Sequence, residues 1–157
     1  MSIQEDLEAL LQRHGPQPPI ADLLTTRITA LDPRAGTITV AFEGQLGWIN
    51  PHGGIQGGMV AALLDETMGA LLTFVLFPAR RGLTLELKVN MLRMAKPGPL
   101  MAEGRVVQRS KNIAFLEAEL RDHRQRLIAT ATSTASIHEN PAATAGSALD
   151  RDATAPA

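Results

Sequence analysis

A run of twenty almost wholly apolar residues, Gly58 to Phe77, constrains the fold more than any other part of the chain. It is long enough to cross a membrane. However, Asp65 and Glu66 lie near its middle, where each charge would cost about 2.5–3.5 kcal/mol on insertion scales. A helix buried inside a folded domain fits better. Because the helix is apolar on nearly all sides, we expect a curved sheet to wrap it and a second subunit to cover what remains.

Composition limits the classes of protein and partner. The chain has 157 residues, of which 45% are hydrophobic and 20% charged, as expected for one globular domain. Its formal net charge of −1 gives no reason to expect nucleic acid or an anionic membrane as a partner. The absence of cysteine excludes disulfides, thiolate metal sites and a cysteine nucleophile. The acidic N-terminus does not resemble a signal peptide, so we expect a cytoplasmic protein.

Segments on both sides of the long helix have strand-like patterns. Residues 25–31 and 36–42 flank a turn signal and predict a hairpin. After the helix, the period changes to two: leucines alternate with polar residues over 83–91, which suits a sheet with one covered face. Further strands are predicted at 101–109, 113–121 and 126–137. The sequence therefore predicts an α+β fold, with one long helix at about 58–77 and five or six mostly antiparallel strands.

These boundaries divide the chain into three parts. Residues 3–13 have apolar side chains at helical spacing and precede a Pro-rich stretch. The last residues lack periodicity, and we expect them to be disordered. The predicted parts are an N-terminal helix and linker at 1–19, one domain at 20–138 and a tail at 139–157.

A glycine-rich turn leads directly into the long helix and carries the clearest functional signal. It reads Asn50-Pro51-His52-Gly53-Gly54-Ile55-Gln56-Gly57-Gly58. Glycines allow backbone to approach a ligand closely, and the first N–H groups of a helix lack intrahelical partners. Such groups can bind a developing oxyanion. An acid in apolar surroundings is unfavourable unless it is paired or used. Asp65 and Glu66 in the following helix therefore make this stretch a candidate active site.

This pattern resembles the motif of hot-dog-fold acyl-CoA thioesterases of the PaaI type, Asn-x-x-Gly-x-x-His-Gly-Gly-x-x-x-x-x-x-Asp. The matching positions are Asn50, Gly53, Gly57, Gly58 and Asp65. The layout of strands and helix also matches from about residue 20 to 137. The resemblance implies a hot-dog fold, an acyl-CoA substrate, no metal or redox cofactor, and a homodimer or a homotetramer built as a dimer of dimers.

The resemblance also implies roles for four residues. Asp65 would act as general base on water or attack the thioester directly. The backbone N–H of Gly57 would bind the thioester oxygen, and Asn50 would polarise that carbonyl or hold water. Thr84 falls where related enzymes often carry a hydroxyl that orients the water. In such enzymes the site straddles a dimer interface, so Asp65 would act with Asn50 and Gly57 of the neighbouring chain.

Four more residues are candidate substrate-binding groups: Gln56, Gly58, His52 and Glu66. Gln56 replaces the family's usual histidine, and it can donate and accept hydrogen bonds but cannot titrate. Glu66 projects about 100° from Asp65 around a helix, so we expect it in a salt bridge across an interface or at a cavity edge. His52 follows a proline in a loop, a position typical of surface or gating residues. No pair of histidines has metal-ligand spacing, so no metal site is predicted.

Two alternatives remain open from the sequence. The chain could be a non-catalytic acyl-CoA-binding module with the same pocket. It could also be a hot-dog hydratase or dehydratase. Those enzymes use a histidine and an acid, and the spacing of His52 and Glu66 is close to the spacing of that pair. In those enzymes the acid follows the helix-opening glycine by about five residues, whereas Asp65 lies seven beyond Gly58. This difference argues against the second alternative.

Overall fold

A six-stranded antiparallel sheet wraps one long helix in the computed structural model, which describes residues 3–141 and the side chains from residue 7 onward. The strand order is β1-β2-β4-β5-β6-β3. The elements are α1 Ile3–Arg13, α2 Pro19–Leu23, β1 Arg27–Asp32, β2 Thr37–Gly44, a 3-10 turn Leu46–Trp48, α3 Gly57–Leu76, β3 Arg80–Met91, β4 Gly98–Arg109, β5 Ile113–Asp122 and β6 Leu127–Glu139. The predicted α+β architecture is confirmed.

The core lies between α3 and the concave face of the sheet. Leu63, Leu64 and Leu71 of α3 are fully buried, and burial of each leucine contributes about 1.5–3 kcal/mol. Many of the inward positions of the central strands are small and alternate with larger residues such as Leu116 and Leu120. The small ones are Ala102, Gly104, Ala118, Ala129, Ala131 and Ala135. A Cβ at Gly104 would lie 3.1 Å from the methyl carbon of Thr67 on α3. The small residues therefore let the sheet curve closely around the helix.

Among the described residues, α3 is also the one helix long and apolar enough to cross a membrane. Its apolar side chains are instead covered by the sheet over much of the helix surface. As the sequence predicts, α3 is the core helix of a soluble fold.

β3 forms one edge of the sheet, and here a prediction from the sequence is wrong. The pairing of β3 with β6 contains a bulge between Thr84 and Glu86, which reverses the alternation of faces. Leu83 and Leu85 are consequently 53% and 63% exposed. The alternating sequence pattern instead predicts that they lie on the covered face of the sheet with Leu87. Only Leu87 and Val89, after the bulge, pack on the core.

The N-terminal segment crosses the flank of α3 that the sheet leaves open. α1 spans the predicted residues, whereas the short α2 was not predicted. The His14 ring, just after α1, stacks on Phe74 and Phe77 with centroid distances of 4.0 and 3.9 Å. At the other end, β6 continues to Glu139, the first residue of the predicted tail, and residues 142–157 lie outside the described residues.

A carboxylate holds the turn between β5 and β6. Asp122 accepts hydrogen bonds from the backbone N–H groups of Arg124 and Arg126, at 2.9 and 3.0 Å, and from Arg126 Nε at 2.8 Å. Burial alone would raise the pKa of Asp122. The hydrogen bonds from Arg126 and Arg124, with the Arg126 charge, outweigh burial and lower that pKa to about 2.

Asp122→Asn should lower the urea midpoint at neutral pH, because the amide loses the charge-assisted bonds to Arg126. The depressed pKa stabilises the wild-type fold above the ordinary value of 3.8, and this stabilisation is lost as the pH falls from 3.8 to about 2. Urea unfolding across this range should show the two proteins converging in acid. The exposed Asp22→Asn is the control, and a difference independent of pH would contradict the role of the charge.

Candidate active site

The predicted catalytic acid and the predicted water-orienting hydroxyl lie together. Asp65 is half-buried in the middle of α3, and Thr84 Oγ1 donates a hydrogen bond to its Oδ1 at 3.2 Å. Before the bulge in β3, every second residue faces the helix, and Gly82 and Thr84 are two of these residues. A Cβ at Gly82 would lie 2.3 Å from Leu72 Cδ2, which shows how closely this end of β3 approaches α3. The carboxylate and the hydroxyl can therefore share one water molecule.

Asn50 organises the glycine-rich turn. Its Oδ1 accepts hydrogen bonds from the backbone N–H groups of His52 and Gly54, at 2.9 and 3.3 Å, and its own N–H donates to the Gly54 carbonyl at 2.8 Å. Gly53 between them has φ = +77°, a conformation that favours glycine. The Nδ2 group of Asn50 forms no hydrogen bond with the described residues, so it is available to a ligand.

The turn is also tied to the segment after β3. Ile55 N–H donates to the Ala95 carbonyl, and Lys96 Nζ donates to the Gly53 carbonyl, both at 2.9 Å. A Cβ at Gly54 would lie 2.3 Å from Met94 Cγ. A side chain at this position would require Met94 to move and would crowd the Ala95 carbonyl oxygen at 3.2 Å. Glycine here therefore serves the fold as well as the site.

The start of α3 shows an interaction that the sequence did not reveal. Gln56 caps the helix, and its Oε1 accepts a hydrogen bond from the Gly57 N–H at 3.0 Å. The predicted oxyanion donor is therefore occupied by the preceding side chain. The Gln56 side chain is exposed, and an added Cβ at Gly58 would meet no atom within 4 Å. The carboxamide thus has room to rotate away from Gly57.

A cleft of about 320 Å³ lies beside this turn. Asn50 and Gly57 line it together with Met91, Met94 and Arg93. The sequence gives no reason to select Arg93, because this residue comes after the predicted strand and belongs to no motif. An arginine on the wall of an otherwise largely apolar cleft can bind a phosphate group.

Glu66 lies on a different side of α3 from the contact between Asp65 and Thr84. It is half-buried and lines a cavity with Thr26 and His14, in agreement with the expectation of a cavity edge. Burial raises the pKa of Glu66. The neighbouring Thr26 hydroxyl opposes that shift, and the nearby Asp65 charge adds to it. The Thr26 hydroxyl lies beside the carboxyl group without reaching the geometry of a full hydrogen bond.

His52 lies in the exposed part of the turn, with its backbone N–H bound to Asn50. Glu66 faces the cavity on the N-terminal side, and the structure does not bring the two residues together. The histidine–acid pair of the hydratase alternative is therefore not formed within this chain.

The Asp65 and Gly57 groups are also separated along α3. Eight residues of an α-helix correspond to about 12 Å at ~1.5 Å per residue. An oxyanion donor and a base acting on one carbonyl must both lie within about 3–4 Å of the reacting atoms. Within one chain the candidate groups therefore form two separate clusters, one at Asp65 and Thr84 and the other at Asn50 and Gly57.

Comparison with known proteins identifies the family. The model of the thioesterase superfamily matches residues 52–129. Two curated relatives, both proposed esterases of Saccharolobus solfataricus, are 34% and 31% identical over 52% and 45% of this chain. The chain aligns with about half of their lengths, 55% and 49%.

Several solved structures share the fold. A proposed thioesterase from Ralstonia eutropha, a phenylacetic acid degradation-related protein, is 32% identical with a TM-score of 0.77, covering 82% of this chain and 97% of its own. The PaaI protein of Escherichia coli is 17% identical with a TM-score of 0.74, and the match covers 86% of this chain and 95% of the PaaI chain. A hypothetical thioesterase from Streptococcus pneumoniae, solved with coenzyme A, is 20% identical, with a TM-score of 0.67 and coverage of 73% and 87%.

The last two similarities support the fold alone, whereas the Ralstonia protein is similar in sequence over almost its full length. The expected fold and family are thus confirmed, and the chain belongs to the thioesterase superfamily as a hot-dog-fold protein of the PaaI type.

Proposed function

We propose that the protein is a cytoplasmic enzyme that hydrolyses an acyl-CoA thioester to the free acid and coenzyme A, without a metal or redox cofactor. The observation that carries the proposal is the Asp65 carboxylate held by the Thr84 hydroxyl at 3.2 Å, at the position of the family's acid. The structural relative solved with coenzyme A supports that class of substrate.

The reaction follows from these groups. Water held by Asp65 and Thr84 attacks the thioester carbon while the carboxylate takes its proton. Negative charge develops on the carbonyl oxygen, which accepts hydrogen bonds from the Gly57 N–H, once Gln56 has rotated, and from Asn50 Nδ2. The C–S bond of the tetrahedral intermediate then breaks, and the leaving coenzyme A thiolate takes the proton that Asp65 removed from water, which regenerates the carboxylate. If Asp65 attacks the carbon directly instead, the same carboxylate and donors are needed.

A second copy of the chain would complete the site. About 12 Å of helix separates Gly57 from Asp65, so one carbonyl cannot contact both within one chain. The free edge of β3 carries the exposed Leu83 and Leu85, and an apolar edge strand readily pairs with another strand. Pairing two copies of β3 about a two-fold axis would place Asp65 of one chain near Gly57 of the other. A homodimer is the minimal active unit, and a homotetramer would contain two of them.

The non-catalytic alternative keeps the same pocket but does not need the carboxylate. The two functions therefore differ in what they predict for a variant in which the charge of Asp65 is removed and its shape is kept.

Asp65→Asn should lower kcat by about 10²–10⁴-fold with little change in KM, since the amide cannot accept the proton from water. The assay is release of free thiol from short, medium, long and aryl acyl-CoAs. Asp22→Asn, a matched change at an exposed position of α2, should retain full activity.

Full turnover by Asp65→Asn would show that Asp65 is not the catalytic acid. If the wild-type protein binds acyl-CoA without releasing thiol from any substrate, the binding module is the correct function.

Leu85→Glu should dissociate the proposed dimer, because two added carboxylates would meet where the β3 edges pair. Leu85 is already exposed within one chain, so its replacement should leave the fold intact. Analytical ultracentrifugation should show a shift to monomer, with turnover recovering as the protein concentration rises.

Leu23→Glu is the matched control, since Leu23 is 62% exposed on α2, away from the β3 edge. A wild-type protein that is monomeric and active would refute the two-chain site.

A further inference from the structure

A cavity of about 280 Å³ separates α3 from the N-terminal segment. Its inner wall is the flank of α3 that carries Glu66, Gly69 and Phe74, and its outer wall is the chain from Leu11 to Pro18. The reaction proposed above makes no use of this space. Most of the lining is apolar or backbone, which is typical of pockets for small organic groups.

The cavity is adjacent to the proposed catalytic acid. Gly69 lies four residues after Asp65, so both are on the same face of α3. Gly69 lines the cavity and also the small cleft that contains Thr84. An added Cβ at Gly69 would meet no atom within 4 Å. Gly69 therefore borders both spaces without a side chain of its own, and it is the point at which a path from Thr84 into the cavity would pass.

A buried polar side chain also belongs to the wall of this cavity. The Thr26 side chain lines the cavity, the residue is 8% exposed, and its hydroxyl has no hydrogen-bond partner among the described residues. Buried hydroxyl groups are nearly always bonded. The Glu66 carboxyl group beside it is the acceptor at hand, so this pair forms a polar patch in the otherwise mainly apolar wall of the cavity.

We propose that this cavity receives the acyl group of the thioester and limits the enzyme to compact acyl groups, such as a medium straight chain or a single ring. This inference rests on the proposed hydrolysis. At about 30 Å³ for each water-sized group, 280 Å³ accommodates about nine heavy atoms. The acyl group lies along the α3 that supplies Asp65, while the coenzyme A part extends toward the cleft of the second chain.

The limit on size depends on the outer wall. The stack of His14 on Phe74 and Phe77 fixes the N-terminal segment against α3. Burial, together with the nearby Arg13 charge, lowers the pKa of His14, so the stacked ring is mainly neutral near pH 7. A longer acyl chain must displace this segment and lose the aromatic contacts.

The test is kcat/KM for straight-chain substrates from acetyl- to palmitoyl-CoA. Wild-type activity should rise to about eight carbons and then fall. Gly69→Leu closes the path, so it should reduce hydrolysis of octanoyl-CoA by about tenfold or more, in line with the discrimination that a filled apolar pocket gives, while acetyl-CoA is much less affected. Phe74→Ala should shift the preference in the opposite direction, toward longer chains.

Gly47→Leu is the matched control, because Gly47 is exposed in the 3-10 turn and an added Cβ there also meets no atom within 4 Å. A uniform loss across all chain lengths in Gly69→Leu, with an unchanged profile in Phe74→Ala, would overturn the acyl pocket. A wild-type preference for palmitoyl-CoA would also overturn it. If the wild type hydrolyses no thioester at all, the proposed function fails instead, and this inference fails with it.

Discussion

The close contact between α3 and the small residues of the concave sheet face determines the rest of the structure. Leu63, Leu64 and Leu71 can pack fully only because alanine and glycine at the inward strand positions let the sheet curve around the helix. A single sheet still covers only part of a helix that is apolar on most sides. Asp65 lies where this cover ends at the edge strand β3, and Glu66 lies on the flank that faces the N-terminal segment. The two acids are therefore at the boundary of the core, where a carboxylate can be held in place and still reach solvent or substrate.

The adjacent acids Asp65 and Glu66 show how different surroundings give two similar carboxyl groups different contacts. Asp65 receives a hydrogen bond from Thr84 at the edge of the sheet. Glu66 faces a partly apolar cavity, where burial raises its pKa. Adjacent residues project about 100° apart around a helix, so the two carboxyl groups point into different surroundings. The roles proposed for α3 thus follow from which of its sides the strands cover.

Much of the fold could be predicted from the sequence because it depends on local patterns. The limits of α3 follow from one apolar run between glycine and proline, and the strands follow from alternation and turn residues. The bulge at Thr84 could not be predicted, because Leu83, Leu85 and Leu87 fit a regular strand equally well. The stack on His14 joins residues about sixty positions apart, and the Gln56 cap depends on a side-chain rotamer. At the site, the motif indicates Asp65, but its contact with Thr84 depends on that bulge.

The cap on Gly57 gives the proposed enzyme an internal competitor. The Gln56 carboxamide is covalently linked to the next residue, so its effective concentration at the Gly57 N–H does not depend on protein or substrate concentration. Every thioester must displace the same group, so the apparent affinity of the enzyme for each thioester decreases by the same factor. The preference for one acyl group over another is therefore unchanged. Because the carboxamide has no proton to gain or lose near neutral pH, this factor is also constant with pH. A histidine at the same position would change its charge in that range.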